Sequence, residues 1–162
     1  MTPSPAGEAG RLRMVDVGDK PATHRQAIAE GSIRMSPGAC QAVADRTLVK
    51  GDVLAASELA GLLAAKRTAE LIPLCHPLSL EHAEVSAAVD PTLPGVRVRA
   101  TVRALAPTGV EMEALTAVAV ALLTVYDMVK AVDQGMEIGE VRLVQKAGGR
   151  RGEWRRDDTG GV

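Results

Sequence analysis

The stretch Gly95-Val96-Arg97-Val98-Arg99-Ala100-Thr101-Val102-Arg103-Ala104-Leu105-Ala106 decides how this chain folds. Small apolar residues take every second place (Val96, Val98, Ala100, Val102, Ala104), and Arg97, Arg99, Thr101 and Arg103 fall between them. Side chains alternate sides along a strand, so the pattern predicts a strand with one buried and one charged face. The run before it, Leu78 to Asp90, alternates as well: Leu80, His82, Glu84 and Ser86 lie on one side, Ala83, Val85, Ala87 and Val89 on the other. Pro91 to Gly95 supplies the turn, and the two runs read as a hairpin.

Upstream, Thr23 to Met35 reads as another strand, stopped by Ser36-Pro37-Gly38. Ser36 can cap a helix whose first turn accepts Pro37, running to about Arg46. After Lys50-Gly51, a cap by Asp52 or Gly51 opens a long helix from Val53 to about Leu71, with Leu54, Leu59, Leu62 and Leu63 at helical spacing. Pro73 and Pro77 bracket Leu74-Cys75-His76, which predicts a stiff, extended connection. Downstream of the hairpin, a second long helix spans about Glu111 to Val132 and ends at Asp133-Gln134-Gly135. A last strand runs from Ile138 to about Lys146. The order β-α-α-β-β-α-β predicts an α+β, ferredoxin-like sandwich: a four-stranded, mostly antiparallel sheet with helices on one face and an additional short helix. Residues 1–13, with Pro3, Pro5, Gly7 and Gly10, read as a flexible arm, residues 14–150 as a single domain, and residues 151–162 as a charged tail.

The 162 residues are 46% hydrophobic and 24% charged, which fits one globular domain with a real core. There is no Phe, and Trp154 and Tyr126 stand alone in their classes, so the core must come from Ala, Val, Leu, Ile and Met. Such a chain lacks the ring platforms that stack single-stranded nucleic acid. A net charge of −1 gives no field that would gather nucleic acid or a membrane. Cys40 and Cys75 make no disulfide framework, and no leader or membrane span is recognised, so a cytoplasmic location is expected.

The second long helix carries the chemistry. Glu111, Glu113, Asp127 and Lys130 sit in an otherwise apolar, alanine-rich run. Removing charge from water costs several kcal/mol unless it is paired or used, so a polar pocket is expected against this helix. Asp127 and Lys130, at i and i+3, can pair. Glu113 and Asp127 lie on nearly one face but roughly 20 Å apart along the axis, too far to share one small reacting group within one chain. Lys50, at a helix start, suits an anionic ligand. His76 can carry a proton or donate to phosphate, and His24-Arg25 can clamp one. Adjacent Cys75-His76 is poor metal spacing, so no metal site is expected. No phosphate-loop, dinucleotide or nucleophile-elbow motif is present. These residues leave three classes open: an enzyme, a small-ligand sensor, or an oligomer whose polar helix residues set subunit register.

Several motifs together resemble the cyclic pyranopterin monophosphate synthase family, molybdenum cofactor biosynthesis protein C. They are Met14-Val15-Asp16-Val17 with Lys20 to Arg25, Lys50-Gly51-Asp52-Val53, and Leu71-Ile72-Pro73-Leu74-Cys75-His76-Pro77-Leu78. The strongest is Gly109 to Val118 continuing through Tyr126-Asp127-Met128 and Lys130 to Asp133; Val141-Arg142-Leu143 and Lys146 to Gly149 close the match. The resemblance implies a lyase that converts (8S)-3′,8-cyclo-7,8-dihydroguanosine 5′-triphosphate to cyclic pyranopterin monophosphate and diphosphate, with residues 14–150 as the catalytic domain. It implies Asp127 as the active-site acid/base and Lys50 and Lys130 as catalytic lysines. Leu74, Cys75, His76, Met112 and Glu113 become substrate contacts, and His24, Arg25, Glu111 and Lys146 line the pocket. It also implies a homohexamer, a trimer of dimers with sites between subunits. No cofactor is firmly implied, although Mg²⁺ could accompany the triphosphate. The chain departs from the family at Arg150, commonly lysine, and at Val129, where many members have cysteine.

Overall fold

The computed structural model describes residues 10–157; most of the expected arm, residues 1–9, and the end of the expected tail, residues 158–162, lie outside the described residues. Strand β1 (Thr23–Arg34) is followed by helices α1 (Pro37–Ala44), α2 (Val53–Lys66) and the single turn α3 (Thr68–Leu71). The hairpin β2 (His82–Asp90) and β3 (Gly95–Ala106), helix α4 (Glu111–Val129), β4 (Glu137–Ala147) and the two-residue β5 (Trp154–Arg155) complete the chain. The strands form one antiparallel sheet in the order β2-β3-β1-β4-β5. This is the expected α+β, ferredoxin-like arrangement with one more, very short strand at the edge.

The alternation in β3 sets the layers. Val96, Val98, Ala100, Val102 and Ala104 are all at most 1% exposed, and they pack with Ala27, Ala29 and Ile33 of β1 beneath α4. Arg97, Arg99 and Arg103 take the opposite, uncovered face. Helices α2 and α4 lie together on the apolar side, α4 against β1, β3 and β4, and α2 against β2. By length and composition α4 could cross a membrane, but here it is the core helix, with Ala114, Ala117, Val118, Ala121, Leu122, Val125 and Val129 buried. Small side chains let α2 and α4 approach closely. Gly61 of α2 sits where an added Cβ would meet the Ala117 carbonyl oxygen at 3.0 Å.

The caps follow the sequence. Ser36 Oγ accepts from the Ala39 N–H at 3.2 Å, with Pro37 in the first turn of α1, and Asp52 Oδ1 accepts from the Ala55 N–H at 3.1 Å at the start of α2. Three local expectations need correction. The helix from Val53 does not run unbroken to Leu71: it stops at Arg67, because the buried Thr68 hydroxyl donates back to the Ala64 and Ala65 carbonyls and tightens the turn. The α4 helix ends at Val129 rather than Val132, where the Asp133 N–H turns back onto the Val129 carbonyl. The Pro73 segment begins as a turn, not as extended chain: the Cys75 N–H bonds the Ile72 carbonyl at 3.1 Å, with Pro73 in the position that favours its fixed φ.

Candidate functional site

The residues singled out from the sequence gather at the two ends of α4. At its C-terminal end, Lys50 reaches in from the loop before α2. Its Nζ lies 2.8 Å from Asp127 Oδ2 and 3.2 Å from the Asp127 carbonyl oxygen. Lys130 Nζ lies 2.8 Å from Asp127 Oδ1. One carboxylate is therefore held between two ammonium groups. The Lys130 bond, then that of Lys50, pulls the Asp127 pKa down to about 2, so the group is a carboxylate at neutral pH. The Asp127 bond in turn raises the pKa of Lys130.

The expectation that this trio is shielded is not met within one chain. The Asp127 side chain is 56% exposed and that of Lys130 53%. The reason is the width of the buried stripe: Leu122, Val125 and Val129 point into the core, while Asp127, Lys130 and the apolar Leu123 point away from it. The one tyrosine, Tyr126, spends its hydroxyl on the Gln134 carbonyl at 3.0 Å, holding the turn that follows α4.

At the N-terminal end of α4 the environment is different. Glu113 is only 3% exposed. Its Oε1 accepts from the Cys75 thiol at 3.7 Å, and its Oε2 is buried with no hydrogen-bond partner. Burial, above all, raises the Glu113 pKa; it also raises that of Cys75, whose thiol faces this carboxyl group. Two residues earlier, Glu111 pairs with Lys146 of β4 at 2.9 Å. Met112 and Leu74 are exposed beside these groups, and His76 is half-buried. Cys40 and Cys75 are both free thiols.

His24 and Arg25 join this end through two glycines. Gly148 and Gly149 have φ of +104° and +74°, where L side chains are strained. A Cβ at Gly148 would collide with the His24 carbonyl oxygen, and one at Gly149 with Arg25 Nη1. The chain after Lys146 can thus lie directly over the start of β1. Arg25 also donates from Nε and Nη2 to the Ala106 and Pro107 carbonyls at 3.4 and 3.3 Å, which holds its guanidinium in place. Beside His24 and Arg25 opens a cavity of about 450 Å³ whose other walls include Gln26, Glu81, His82 and Arg103. Sequence reasoning took His82 and Arg103 as strand positions and no more. Their outward register was visible, but the meeting of β2, β3 and β1 at one sheet end was not. Among the described residues no group of three or more His, Cys, Asp or Glu side chains could hold a metal ion.

Fold and site together define a ferredoxin-like α+β protein that concentrates acid–base and oxyanion-pairing side chains at both ends of its core helix. The match to known proteins is correspondingly specific. The chain belongs to the MoaC family, whose model covers residues 14–149. It is 55% identical to the cyclic pyranopterin monophosphate synthase of Chloroflexus aggregans, over 93% of this chain and 92% of that protein. It is 56% identical to the protein of the same name from Thermomicrobium roseum, over 93% and 91%. The Brucella ovis protein of that name is 53% identical, over 91% and 89%.

Proposed function

We propose that this chain converts (8S)-3′,8-cyclo-7,8-dihydroguanosine 5′-triphosphate to cyclic pyranopterin monophosphate and diphosphate, a lyase step of molybdenum cofactor biosynthesis. The observation that carries the reading is the Asp127 carboxylate bridged by Lys50 and Lys130, in a chain of this family. Remodelling a guanine-derived ring into a pterin moves several protons, so the site needs groups with separated pKa values. Asp127, ionised between two ammonium groups, is suited to accept a proton or to orient the lysines. Glu113, its pKa raised by burial, is suited to hold a proton and give it up. Cyclisation of the phosphate forms a bond from a substrate hydroxyl oxygen to the α-phosphorus. The bond to the bridging β-phosphate oxygen breaks, the hydroxyl proton passes to a base, and diphosphate leaves with the electron pair. Lysine, arginine and histidine side chains stabilise the charge on that leaving group.

The two clusters stand about 20 Å apart along α4, from the helical rise. A homohexamer, a trimer of dimers with sites at subunit interfaces, resolves this: Asp127, Lys50 and Lys130 of one chain would face Glu113, His76 and Lys146 of another. Residues 14–150 are then the catalytic unit, and the free thiols of Cys40 and Cys75 fit a cytoplasmic setting.

The test is an assay for diphosphate and pterin product on wild type and Asp127→Ala, with assembly followed by light scattering. Product from wild type and none from an equally assembled variant supports the reading. Binding without turnover in wild type would make the protein a sensor, and loss of assembly in Asp127→Ala would make the trio structural.

A further inference from the structure

On the uncovered face of the sheet, Arg97, Arg99 and Arg142 are neutralised. Arg97 pairs with Asp90 at 2.6 Å and with Glu140 at 3.6 Å, and Arg99 and Arg142 share Glu30 at 3.4 and 2.9 Å. Arg103, exposed and in the last pair of the β2–β3 register, has no ion pair or side-chain hydrogen bond among the described residues. Strand pairing puts it in one transverse row with two other polar side chains: His82 stands opposite it on β2 and Gln26 opposite it on β1. His24 lies two residues along from Gln26, on the same side of β1. These four and Arg25 line the 450 Å³ cavity, with Glu81 the one carboxylate in its wall, while His82 Nε2 also faces Glu84 Oε2 at 3.8 Å. The second cavity on this face, about 270 Å³, has Arg97, Arg99, Glu30 and Glu140 in its wall, so its charge is balanced internally.

We infer that Arg103 and His82, with His24 and Gln26, form an oxyanion subsite that receives the phosphate chain of the substrate. A guanidinium with nothing to pair with, facing a cavity, is held ready for an outside anion, and its planar fork matches two phosphate oxygens at once. Gln26 and the two histidines add donors, and the cavity has room for a diphosphate unit. The location fits the role. Gln26 pairs with Ala147, one residue past Lys146, so the row ends at the same edge of the sheet as the Glu111–Lys146 pair, which lies on the helix-covered face. The subsite assigns to the phosphate chain two residues, His82 and Arg103, that the motifs did not single out. It rests on the proposed nucleotide chemistry for the identity of the ligand, but not for its anionic class.

The experiment separates the two. Binding of inorganic diphosphate to the full-length assembly is followed by calorimetry for wild type, Arg103→Gln, His82→Gln and Asp127→Asn, each checked for unchanged assembly. The subsite predicts that Arg103→Gln weakens diphosphate binding about tenfold or more, and His82→Gln less, since each removes a donor to the charged ligand. It predicts that Asp127→Asn still binds diphosphate. In turnover, Arg103→Gln raises KM severalfold with a smaller change in kcat. Diphosphate affinity unchanged in both Arg103→Gln and His82→Gln, or absent in wild type, overturns the subsite. Weakened binding in those variants, in a protein that makes no pterin, keeps the subsite and rejects the catalytic reading.

Discussion

The Cys75 thiol stands 3.7 Å from Glu113 Oε1, and the other carboxyl oxygen of Glu113 is buried with no partner. A buried acid of this kind disfavours its charged form, so its folded pKa lies above the unfolded one. Its protonated form is tolerated, and the associated stability is intact below the ordinary carboxylate range. It is lost as pH rises through the raised folded pKa, because the unfolded chain then releases the proton more readily. Glu113→Gln keeps the shape and removes the titration. The variant should melt about 2–5 °C above wild type at pH 8, with the difference closing near pH 4. A melting difference that is the same at both pH values would show that Glu113 does not titrate in this way. The expected stabilisation at neutral pH, at a site the chemistry needs, is the usual conflict between stability and activity.

The opposite shift operates at Asp127. Its pKa of about 2 comes chiefly from Lys130 and then from Lys50. Carbon-13 titration of the side-chain carboxyl should show that low midpoint in wild type. It should move up toward the ordinary ~3.9 in Lys130→Gln and furthest in the double variant with Lys50→Gln. A folded pKa below the unfolded value contributes stability above the ordinary range and loses it as pH falls toward 2. The trio is well exposed, so solvent screening keeps that contribution small and the lysine variants should melt close to wild type. A midpoint that stays near 2 in the double variant would detach the lysines from Asp127.

Core geometry makes a separate prediction about α2 and α4. Gly61 faces Val85 and the Ala117 carbonyl, with an added Cβ at about contact limit, 3.0 Å from each. Gly61→Val pushes further atoms into that contact, and backbone cannot swing aside as a flexible side chain can. Destabilisation of about 1–3 kcal/mol is expected, read as a lowered denaturant midpoint. An unchanged midpoint would mean the helices can separate freely, contrary to a core assembled from alanine and glycine contacts.

Much of this was legible from pattern, because strand alternation and helix caps are local. The inward set of β3, the Ser36 and Asp52 caps and the β2–β3 hairpin needed only neighbouring residues to be read. The break at Arg67 was not legible, since Thr68 competes for helix carbonyls only once its side chain is buried under α4. β5 depends on the Gln145 and Lys146 edge being free to pair, which is a property of the finished sheet. For the site, Asp127 with Lys130 could be read from spacing, but the arrival of Lys50 from 77 residues away could not. Exposure of that trio escaped notice because hydrophobic neighbours in sequence, such as Leu123, proved to be surface residues.

That exposed apolar surface beside a charged trio bears directly on site sharing. Leu123 and Val132 are 58% and 53% exposed near Asp127 and Lys130, as Leu71 and Leu74 are near Cys75 and His76. Surfaces of this sort are commonly covered by another chain. If each site takes Asp127 from one subunit and His76 from its neighbour, Asp127→Ala and His76→Ala homo-oligomers are both inactive. Co-refolding them in equal amounts makes half the dimers mixed. In each mixed dimer one site collects both defects and the other collects none, so about one quarter of wild-type activity should return for a two-fold interface. Simple mixing without subunit exchange should restore nothing. Recovery well below that fraction, with mixed dimers demonstrated by native mass spectrometry, would place both residues in the same chain's site and require Asp127 and His76 to act together within one subunit.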